Sequence, residues 1–209
     1  MPDSQPPTRP HDSQRERDTR PERDAEATRR RLLEAATAEF AEHGIAGARV
    51  DRIAAAARSN KAQIYHYFGS KDGLFDAVFG AYATEAAQAE YFDARDLPGT
   101  AGRLHDQLSS RPDLARLATW YRLERTGSSR SIAPIIEANA AKVSAIRDAQ
   151  AAGVVTDAFP PDVILGLVIT LAMAWVDLPP EFAGSPGAHS TQVSRGFVVD
   201  AVTRLVAPR

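Results

Sequence analysis

Residues 60–66 of the 209-residue chain combine five hydrogen-bonding side chains with the small residue Ala62. Gln63 carries an amide that matches the hydrogen-bonding edge of adenine, and Lys61 can donate to guanine or to a phosphate. The methyl group of Ala62, which lies between them in sequence, can contact the methyl group of thymine. Because a short helix would carry these side chains on its exposed face, the segment predicts a helix that enters the major groove of duplex DNA.

Further polar residues around this segment suit contacts with the DNA backbone. Tyr65, His66 and Lys71 can bond phosphate oxygens, which fix the docking register without reading sequence. Residues 58–71 include three basic residues and no acidic one, although the whole chain has a formal net charge of -2. The predicted DNA-binding residues are Arg49, Arg58, Asn60, Lys61, Ala62, Gln63, Tyr65, His66 and Lys71.

The elements that must position these residues are predicted from apolar spacing. Apolar residues recur at helical intervals from Ala25 to Phe40, and Gly44 follows as a stop signal. A second, short helix is predicted over residues 50–57, and a third begins at the N-cap residue Asn60. Two short helices joined by a tight turn predict a helix-turn-helix between about Arg49 and Phe68.

The same residues resemble the DNA-binding signature of the tetracycline-repressor (TetR) family. Tyr65, Phe68 and Lys71 stand at its most characteristic positions, and the resemblance covers roughly Arg29 to Phe79. It implies a DNA-binding head on a variable C-terminal helical bundle that binds a small molecule and dimerises. The matching stretches are Val50-Asp51-Arg52-Ile53-Ala54-Ala55-Ala56-Ala57 and Asn60-Lys61-Ala62-Gln63-Ile64-Tyr65-His66-Tyr67-Phe68-Gly69-Ser70-Lys71-Asp72-Gly73-Leu74.

The chain departs from the family pattern at both ends of the second helix. Arg49 stands where a threonine usually caps that helix, and Arg58-Ser59 stands where the turn usually has Gly-Val. If the turn needs a left-handed conformation, Arg58 costs about 1–2 kcal/mol that glycine avoids. Both arginines lie at helix ends that would face the DNA backbone, so we hypothesise that they add phosphate contacts.

The N-terminal segment differs from the rest of the chain. Residues 1–24 contain prolines and alternating charges but no apolar periodicity, which predicts a disordered arm. A solvated tail is favoured over an arm that contacts the minor groove, because the basic and acidic residues nearly cancel. After this arm, the pattern predicts a helix-turn-helix domain at residues 25–71, and the family resemblance implies a ligand-binding and dimerisation domain at residues 72–209.

Helical periodicity continues to the C-terminus, so the predicted fold is all-α with about nine helices. Pro98 and Gly99 predict a break before a helix from Thr100 to Ser109, and Pro112 suits the first turn of the next helix. Further breaks are predicted at residues 127–130 and 178–188. The last three predicted helices are Ile132 to Ala152, Val163 to Val176 and Ser190 to Val206.

The last two predicted helices are apolar on two sides, so each needs two partners. By resemblance to the family, they pair with their symmetry mates in a four-helix interface between two copies of the chain. The alternative is that both helices are buried within one chain. The predicted interface residues are Val163, Leu167, Leu171, Phe197, Ala201 and Leu205.

A small-molecule site is predicted in the C-terminal bundle. Pockets of this kind have aromatic and apolar walls with few polar groups. Single residues of these types are also typical of ordinary core packing, which is the alternative interpretation. The residues predicted to bind an unidentified effector are Leu117, Trp120, Tyr121, Glu124 and Met173.

Composition and motifs argue against several other classes of protein. The chain has no cysteine, and its five histidines show no metal-ligand spacing. No nucleophile elbow, phosphate loop or dinucleotide fingerprint occurs, so we expect no catalytic residue, no cofactor and no metal. No secretory signal is visible, and the apolar run at residues 163–176 is shorter than the about 20 residues of a bilayer span. We expect a cytoplasmic protein without a membrane partner, associated with the nucleoid when bound to DNA.

The favoured function is a homodimeric repressor that is released from double-stranded operator DNA by a small molecule. An activator or a ligand-independent regulator fits the same sequence, because nothing in the sequence decides the sign of regulation. The alternative from another class is a helical small-molecule-binding protein or enzyme with a vestigial helix-turn-helix. A nonspecific nucleoid protein is a third alternative, against which the near-neutral charge argues.

Overall fold

The all-α prediction is confirmed for the part of the chain that the computed structural model describes. This part comprises residues 12–85, 92–126, 131–176, 181 and 190–208, with side chains described from residue 23 onward. It contains no strand and nine helices. These are α1 (Asp12–Gly47), α2 (Val50–Ala56), α3 (Lys61–Phe68), α4 (Lys71–Glu85), α5 (Leu97–Ser110), α6 (Pro112–Arg125), α7 (Ala133–Ala151), α8 (Pro161–Met173) and α9 (Thr191–Val206).

The first helix begins earlier than the sequence predicted. Helix α1 starts at Asp12, so residues 12–24 are helical where the pattern indicated an irregular arm. Residues 1–11 lie outside the described part. Apolar periodicity indicates a helix only where the helix buries a stripe of apolar side chains. Residues 12–24 contain no such stripe, so the sequence pattern did not predict this part of α1.

A break at Gly44 divides α1, in agreement with the predicted stop signal. Gly44 has φ 70° and ψ 179°, outside the helical region, and a short further turn follows it. A Cβ atom at this position would lie 2.6 Å from Glu124 Oε1 and 2.9 Å from Trp120 Cε3. Glycine is therefore needed here for two reasons, the positive φ and the close approach of α6.

One apolar core joins the first four helices to α6. Leu32, Phe40, Ile53, Ile64 and Phe75 are completely buried in it. The rings of Phe40 and Phe75 meet edge to face with centroids 5.2 Å apart, a geometry that the charge distribution of aromatic rings favours. Because α2 and α3 are too short to be stable alone, their stability comes from packing against this core.

A second apolar core lies among α5, α7, α8 and α9. Ile146, Ile164, Val168 and Val202 are at most 1% exposed within it. Helix α5 packs against both α8 and α9. The bundle therefore covers one side of each of the last two helices.

One predicted break lies inside a helix. Pro98 and Gly99 form part of the first turn of α5, because Asp96 caps this helix by accepting the Gly99 N–H at 2.8 Å. Proline suits a first turn, where its missing N–H would have no helical partner. The predicted break at residues 127–130 and most of the predicted loop at residues 178–188 lie outside the described part.

His105 of α5 is completely buried and connects α8 to α9. Its Nδ1 lies 3.1 Å from the Ala172 carbonyl oxygen near the end of α8, and its Nε2 lies 3.1 Å from Ser194 Oγ of α9. A carbonyl oxygen only accepts, so Nδ1 carries the proton. The last carbonyls of a helix lack helical partners, and His105 therefore satisfies a group that would otherwise be buried without a hydrogen bond.

Replacing His105 with leucine should lower the free energy of unfolding by about 1–3 kcal/mol, because the Ala172 carbonyl loses its buried partner. Urea denaturation followed by circular dichroism measures the change. The control is His66→Leu at an exposed position of α3, which should change stability by no more than about 0.5 kcal/mol. Equal effects of the two substitutions would contradict the role of His105 as a connection between helices.

Candidate nucleic-acid interface and ligand cavity

Helix α3 is held by its N-cap and by one buried side chain. The Asn60 side chain accepts the Gln63 N–H at 3.0 Å and so caps the first turn, as its residue type predicted. Ile64 is completely buried beneath the helix. The opposite face is therefore accessible, and 50% of the Tyr65 surface is exposed. The exposed residues of α3 are Lys61, Ala62, Tyr65 and His66.

The turn between α2 and α3 is left-handed at Arg58. This residue has φ 50°, the single positive φ of a non-glycine residue in the described part. The Arg58 N–H donates to the Ala55 carbonyl, and the Ser59 N–H donates to the Ala54 carbonyl, which is the bond pair of a Schellman motif. Arg58 therefore adopts the left-handed conformation that disfavours a side chain, and it lowers the stability of the fold by about 1–2 kcal/mol relative to glycine.

Glu39 of α1 replaces the side-chain cap that Arg49 does not provide for α2. Its Oε1 accepts the Arg49 N–H at 2.8 Å and lies 2.6 Å from a guanidinium nitrogen of Arg52. Burial raises the pKa of Glu39, but hydrogen bonds from Arg52 and from the Arg49 N–H, together with the charge of Arg52, hold this pKa below its ordinary value. Sequence reasoning missed Glu39, because a cap supplied by another helix leaves no local pattern.

The two lysines among the predicted DNA-binding residues have partners within the protein. Lys61 Nζ lies 2.5 Å from Asp51 Oδ1, but both side chains are more than half exposed, so the pair contributes only about 0–1 kcal/mol. Lys71 Nζ donates to the Ala46 and Ala48 carbonyls at 3.0 and 3.2 Å. The structure thus gives Lys71 hydrogen bonds that hold α4 against the α1–α2 junction, where the sequence predicted a phosphate contact.

Replacing Arg58 with glycine should raise the free energy of unfolding by about 1 kcal/mol, since glycine adopts a positive φ without the steric penalty. The control is Ala56→Gly inside α2, which should lower stability by about 0.5–1 kcal/mol. Urea unfolding of both variants measures these opposite changes. A less stable Arg58→Gly protein would contradict the left-handed turn.

A cavity of about 220 Å³ lies among α4, α5, α6, α7 and α8. Its wall is mostly apolar and includes two tyrosines, Tyr82 and Tyr121. Burial raises the pKa of Tyr82 to about 12. The remaining polar side chains of the wall are Arg122, Asn139 and Lys142.

The predicted ligand-binding residues divide into two groups. Tyr121 and Met173 line the cavity, whereas Leu117, Trp120 and Glu124 lie elsewhere. Leu117 is completely buried in the core shared with α1 to α4, and Trp120 and Glu124 face α1. The sequence pattern identified α6 as a wall of the cavity. It did not distinguish the side of α6 that faces the cavity from the sides that contact α1 and the core, because α6 has neighbours on several sides.

Helix α6 contacts the break in α1 with the side opposite the cavity. The Glu124 carboxylate accepts the N–H groups of Ile45 and Ala46, each at 2.9 Å. The break exposes these donors, since N–H groups at the start of a helical run have no partner within it. Trp120 Nε1 also donates to the Ala41 carbonyl at 3.3 Å. The cavity wall and the junction before α2 therefore share one helix.

Arg125, the last residue of α6, makes a second connection to the N-terminal helices. Its guanidinium lies 2.9 Å from Asp72 Oδ1 and 3.1 Å from Asp76 Oδ1, both in α4, and 5.6 Å from the centre of the Phe75 ring. The Arg125 side chain is only 9% exposed, so salt screens these pairs less than surface pairs. Helix α6 is thereby joined to α4 as well as to α1.

The outward sides of α8 and α9 are apolar and accessible. Val163 is 41% exposed and Phe197 is 46% exposed, and Trp175 lies beside Phe197 with ring centroids 6.4 Å apart. Several exposed apolar side chains on neighbouring helices are typical of an interaction site. The other predicted interface residues, which are half-buried, are Leu167, Leu171, Ala201 and Leu205.

The described residues contain neither a metal-binding cluster nor a helix that could span a membrane. No group of three or more histidine or carboxylate side chains among them is arranged to hold a metal ion. None of their helices combines the length and the apolar character that crossing a bilayer requires.

A helix-turn-helix carried on an all-α bundle with an apolar cavity defines the class of ligand-responsive DNA-binding regulators. Comparison with known families is more specific. Residues 32–78 match the family described as bacterial regulatory proteins, tetR family, and residues 96–204 match the tetracyclin repressor-like C-terminal domain. The chain belongs to the TetR family of transcriptional regulators, as the sequence resemblance predicted.

Individual relatives agree with this assignment. The HTH-type transcriptional repressor SCO4008 of Streptomyces coelicolor is 44% identical over 188 residues, which cover 88% of this chain and 97% of that protein. The crystal structure of SCO4942 from Streptomyces coelicolor shares 40% identity with a TM-score of 0.72, covering 87% of this chain and 99% of that one. FadR from Bacillus subtilis, in complex with stearoyl-CoA, has the same fold with a TM-score of 0.63 at 16% identity, covering 84% of this chain and 97% of that one.

Proposed function

We propose that this chain is a homodimeric repressor that binds double-stranded operator DNA and leaves it when a small molecule occupies the cavity. The observation that carries the proposal is the position of α6, with the cavity on one side and the α1 break on the other. The description of SCO4008 as a repressor supports the sign of regulation. Membership in a family of transcriptional regulators favours this function over an enzyme with a vestigial helix-turn-helix.

The proposed DNA contacts begin with the accessible face of α3. Each subunit inserts α3 into a major groove, and the two half-sites lie about one helical turn, or a multiple of it, apart. Gln63 pairs with adenine, Lys61 with guanine or phosphate, and Ala62 with a thymine methyl. Lys61 then exchanges Asp51 for DNA, which costs little because the existing pair is exposed.

Other proposed contacts hold the phosphate backbone. Tyr65 and His66 are exposed on α3, and Arg49 and Arg58 are exposed at the two ends of α2. Loss of one phosphate contact should lower the salt slope of operator binding by about 1, and the Arg58→Gly protein tests this. An unchanged affinity together with an unchanged slope would remove Arg58 from the interface.

Base reading by α3 is tested by gel shift with the DNA upstream of the protein's own gene and with unrelated competitor DNA. Lys61→Ala and Gln63→Ala should each reduce the preference for the operator by about tenfold or more, since a good base contact contributes about 1–3 kcal/mol of discrimination. The control is Arg147→Ala, at an exposed position of α7. If the unaltered protein showed no specific shift across its genomic neighbourhood, the proposed function would be wrong.

The proposed dimer joins the outward sides of α8 and α9 with those of a second copy. Their exposed apolar side chains support this arrangement, and a twofold axis would bury the same patch on both subunits. The proposed interface residues are Val163, Leu167, Leu171, Phe197, Ala201 and Leu205.

Replacing Phe197 with glutamate should convert the dimer to a monomer, because the twofold axis would place two unpaired carboxylates in an apolar interface. Size-exclusion chromatography with light scattering measures the mass. Ile136→Glu is the control, because Ile136 is 54% exposed on α7 and lies outside the proposed interface. A Phe197→Glu protein with the mass of a dimer would place the interface elsewhere.

The proposed ligand response acts through α6. A ligand that presses on Tyr121 or Met173 moves the cavity wall, and Glu124 and Arg125 transmit the movement to α1 and α4. The two α3 helices of the dimer then no longer match the spacing of the two DNA half-sites. To move the protein from mostly bound to mostly free, the ligand must bind the released form more tightly by about 5 kcal/mol.

The remaining proposals concern organisation and place of action. We propose a DNA-binding unit at residues 25–71 and a ligand-binding and dimerisation unit at residues 72–209. The match of separate family descriptions to residues 32–78 and 96–204 supports two units of this kind. The proposed place of action is the cytoplasm, on the nucleoid when the protein is bound to DNA.

A further inference from the structure

The charged side chains that the structure describes in the cavity wall are both cationic. Lys142 of α7 and Arg122 of α6 both line the cavity, and no aspartate or glutamate among the described residues does so. The rest of the wall is apolar or aromatic apart from two tyrosines and Asn139. A cavity with this composition attracts a negative group and an apolar body at the same time.

Lys142 is the more informative of the two cations. It is half-buried, and its Nζ lies 5.8 Å from the centre of the Phe92 ring. Burial lowers the pKa of its ammonium group. No ion pair of Lys142 with an acidic side chain occurs within the described residues, so its charge is partly removed from water without compensation there. A half-buried cation in this condition is stabilised by an anion that reaches it.

We propose that the cavity takes a compact hydrophobic anion, an aromatic or aliphatic carboxylate, whose charged group binds Lys142 while its apolar body lies against Phe79, Ile169 and Met173. The inference rests on the proposed ligand response and names the class of ligand that triggers it. Arg122, which is exposed at the edge of the cavity, attracts the anion as it enters.

The size and charge of the cavity argue against two other ligand classes. At about 220 Å³ it is smaller than the roughly 300–1,000 Å³ of typical drug-sized pockets, so a bulky ligand does not fit without rearrangement. The aromatic rings would attract an organic cation, but two cationic side chains in the same wall would repel it. A neutral amphiphile would leave Lys142 without an ionic partner.

The test uses three probes that share one alkyl chain and differ in the head group: octanoate, 1-octanol and octylammonium. Isothermal titration calorimetry of the full chain at neutral pH measures their affinities. Octanoate should bind about tenfold more tightly than octanol, which is the effect of one hydrogen bond to a charged group. Octylammonium should bind most weakly. The inference would be overturned if octylammonium bound as tightly as octanoate or more tightly, or if none of the three probes bound.

Variants of Lys142 separate its charge from its packing. Lys142→Met keeps the length of the side chain and should lower octanoate affinity about tenfold, to the level of octanol, while octanol affinity stays unchanged. Lys142→Arg should retain most of the octanoate affinity. Arg147→Met, at an exposed position of the same helix, is the control and should change neither. Unchanged octanoate binding by Lys142→Met would also overturn the inference.

The same probes separate this inference from the proposed function. Release of operator DNA by octanoate in a gel shift, lost in Lys142→Met, would support both. Octanoate binding without release would support the anion site and contradict the ligand response that acts through α6.

Discussion

The cap that Glu124 places on the break in α1 determines how the DNA-binding helices are held. Gly44 ends one helical run and leaves the Ile45 and Ala46 N–H groups without helical partners. The carboxylate from α6 accepts both bonds, and a negative charge is favourable at the start of a helical run. Helices α2 and α3 follow directly along the chain, so the orientation of α3 depends on this contact.

Helix α6 can serve both parts of the molecule because its sides meet different neighbours. Tyr121 faces the cavity, Glu124 faces α1, and Arg125 is paired with carboxylates of α4. A helix moves as one body over a few turns, so displacement at the cavity reaches both contacts together. The cavity and the DNA-binding helices are thus connected by one packed element with polar contacts at defined atoms.

Much of the DNA-binding half could be predicted, because short-range signals decide it. Asn60 caps α3, Gly44 interrupts α1, and the turn at Arg58 is left-handed in a position where the family usually has glycine. Each of these follows from residue type and near neighbours in sequence. The same signals misplaced two features. The first turns of α1 have no apolar stripe, so their sequence resembles an irregular segment. Pro98 and Gly99 resemble a break in the chain, although they lie in the first turn of α5.

The amino-acid sequence by itself determined the all-α class and the family, and it placed Lys61, Ala62, Tyr65 and His66 on the exposed face of α3, whereas Gln63 is half-buried and accepts a hydrogen bond from Ser59. Only the tertiary structure decided that Glu39 caps α2, that Lys71 bonds the α1–α2 junction, and that Lys142 faces the cavity. It likewise placed Tyr121 in the cavity wall and its neighbour Trp120 against α1. The physical reason is that helical periodicity gives the direction in which a side chain points from the axis of its helix. The residue that it meets in that direction belongs to a helix distant in sequence, which the periodicity does not identify.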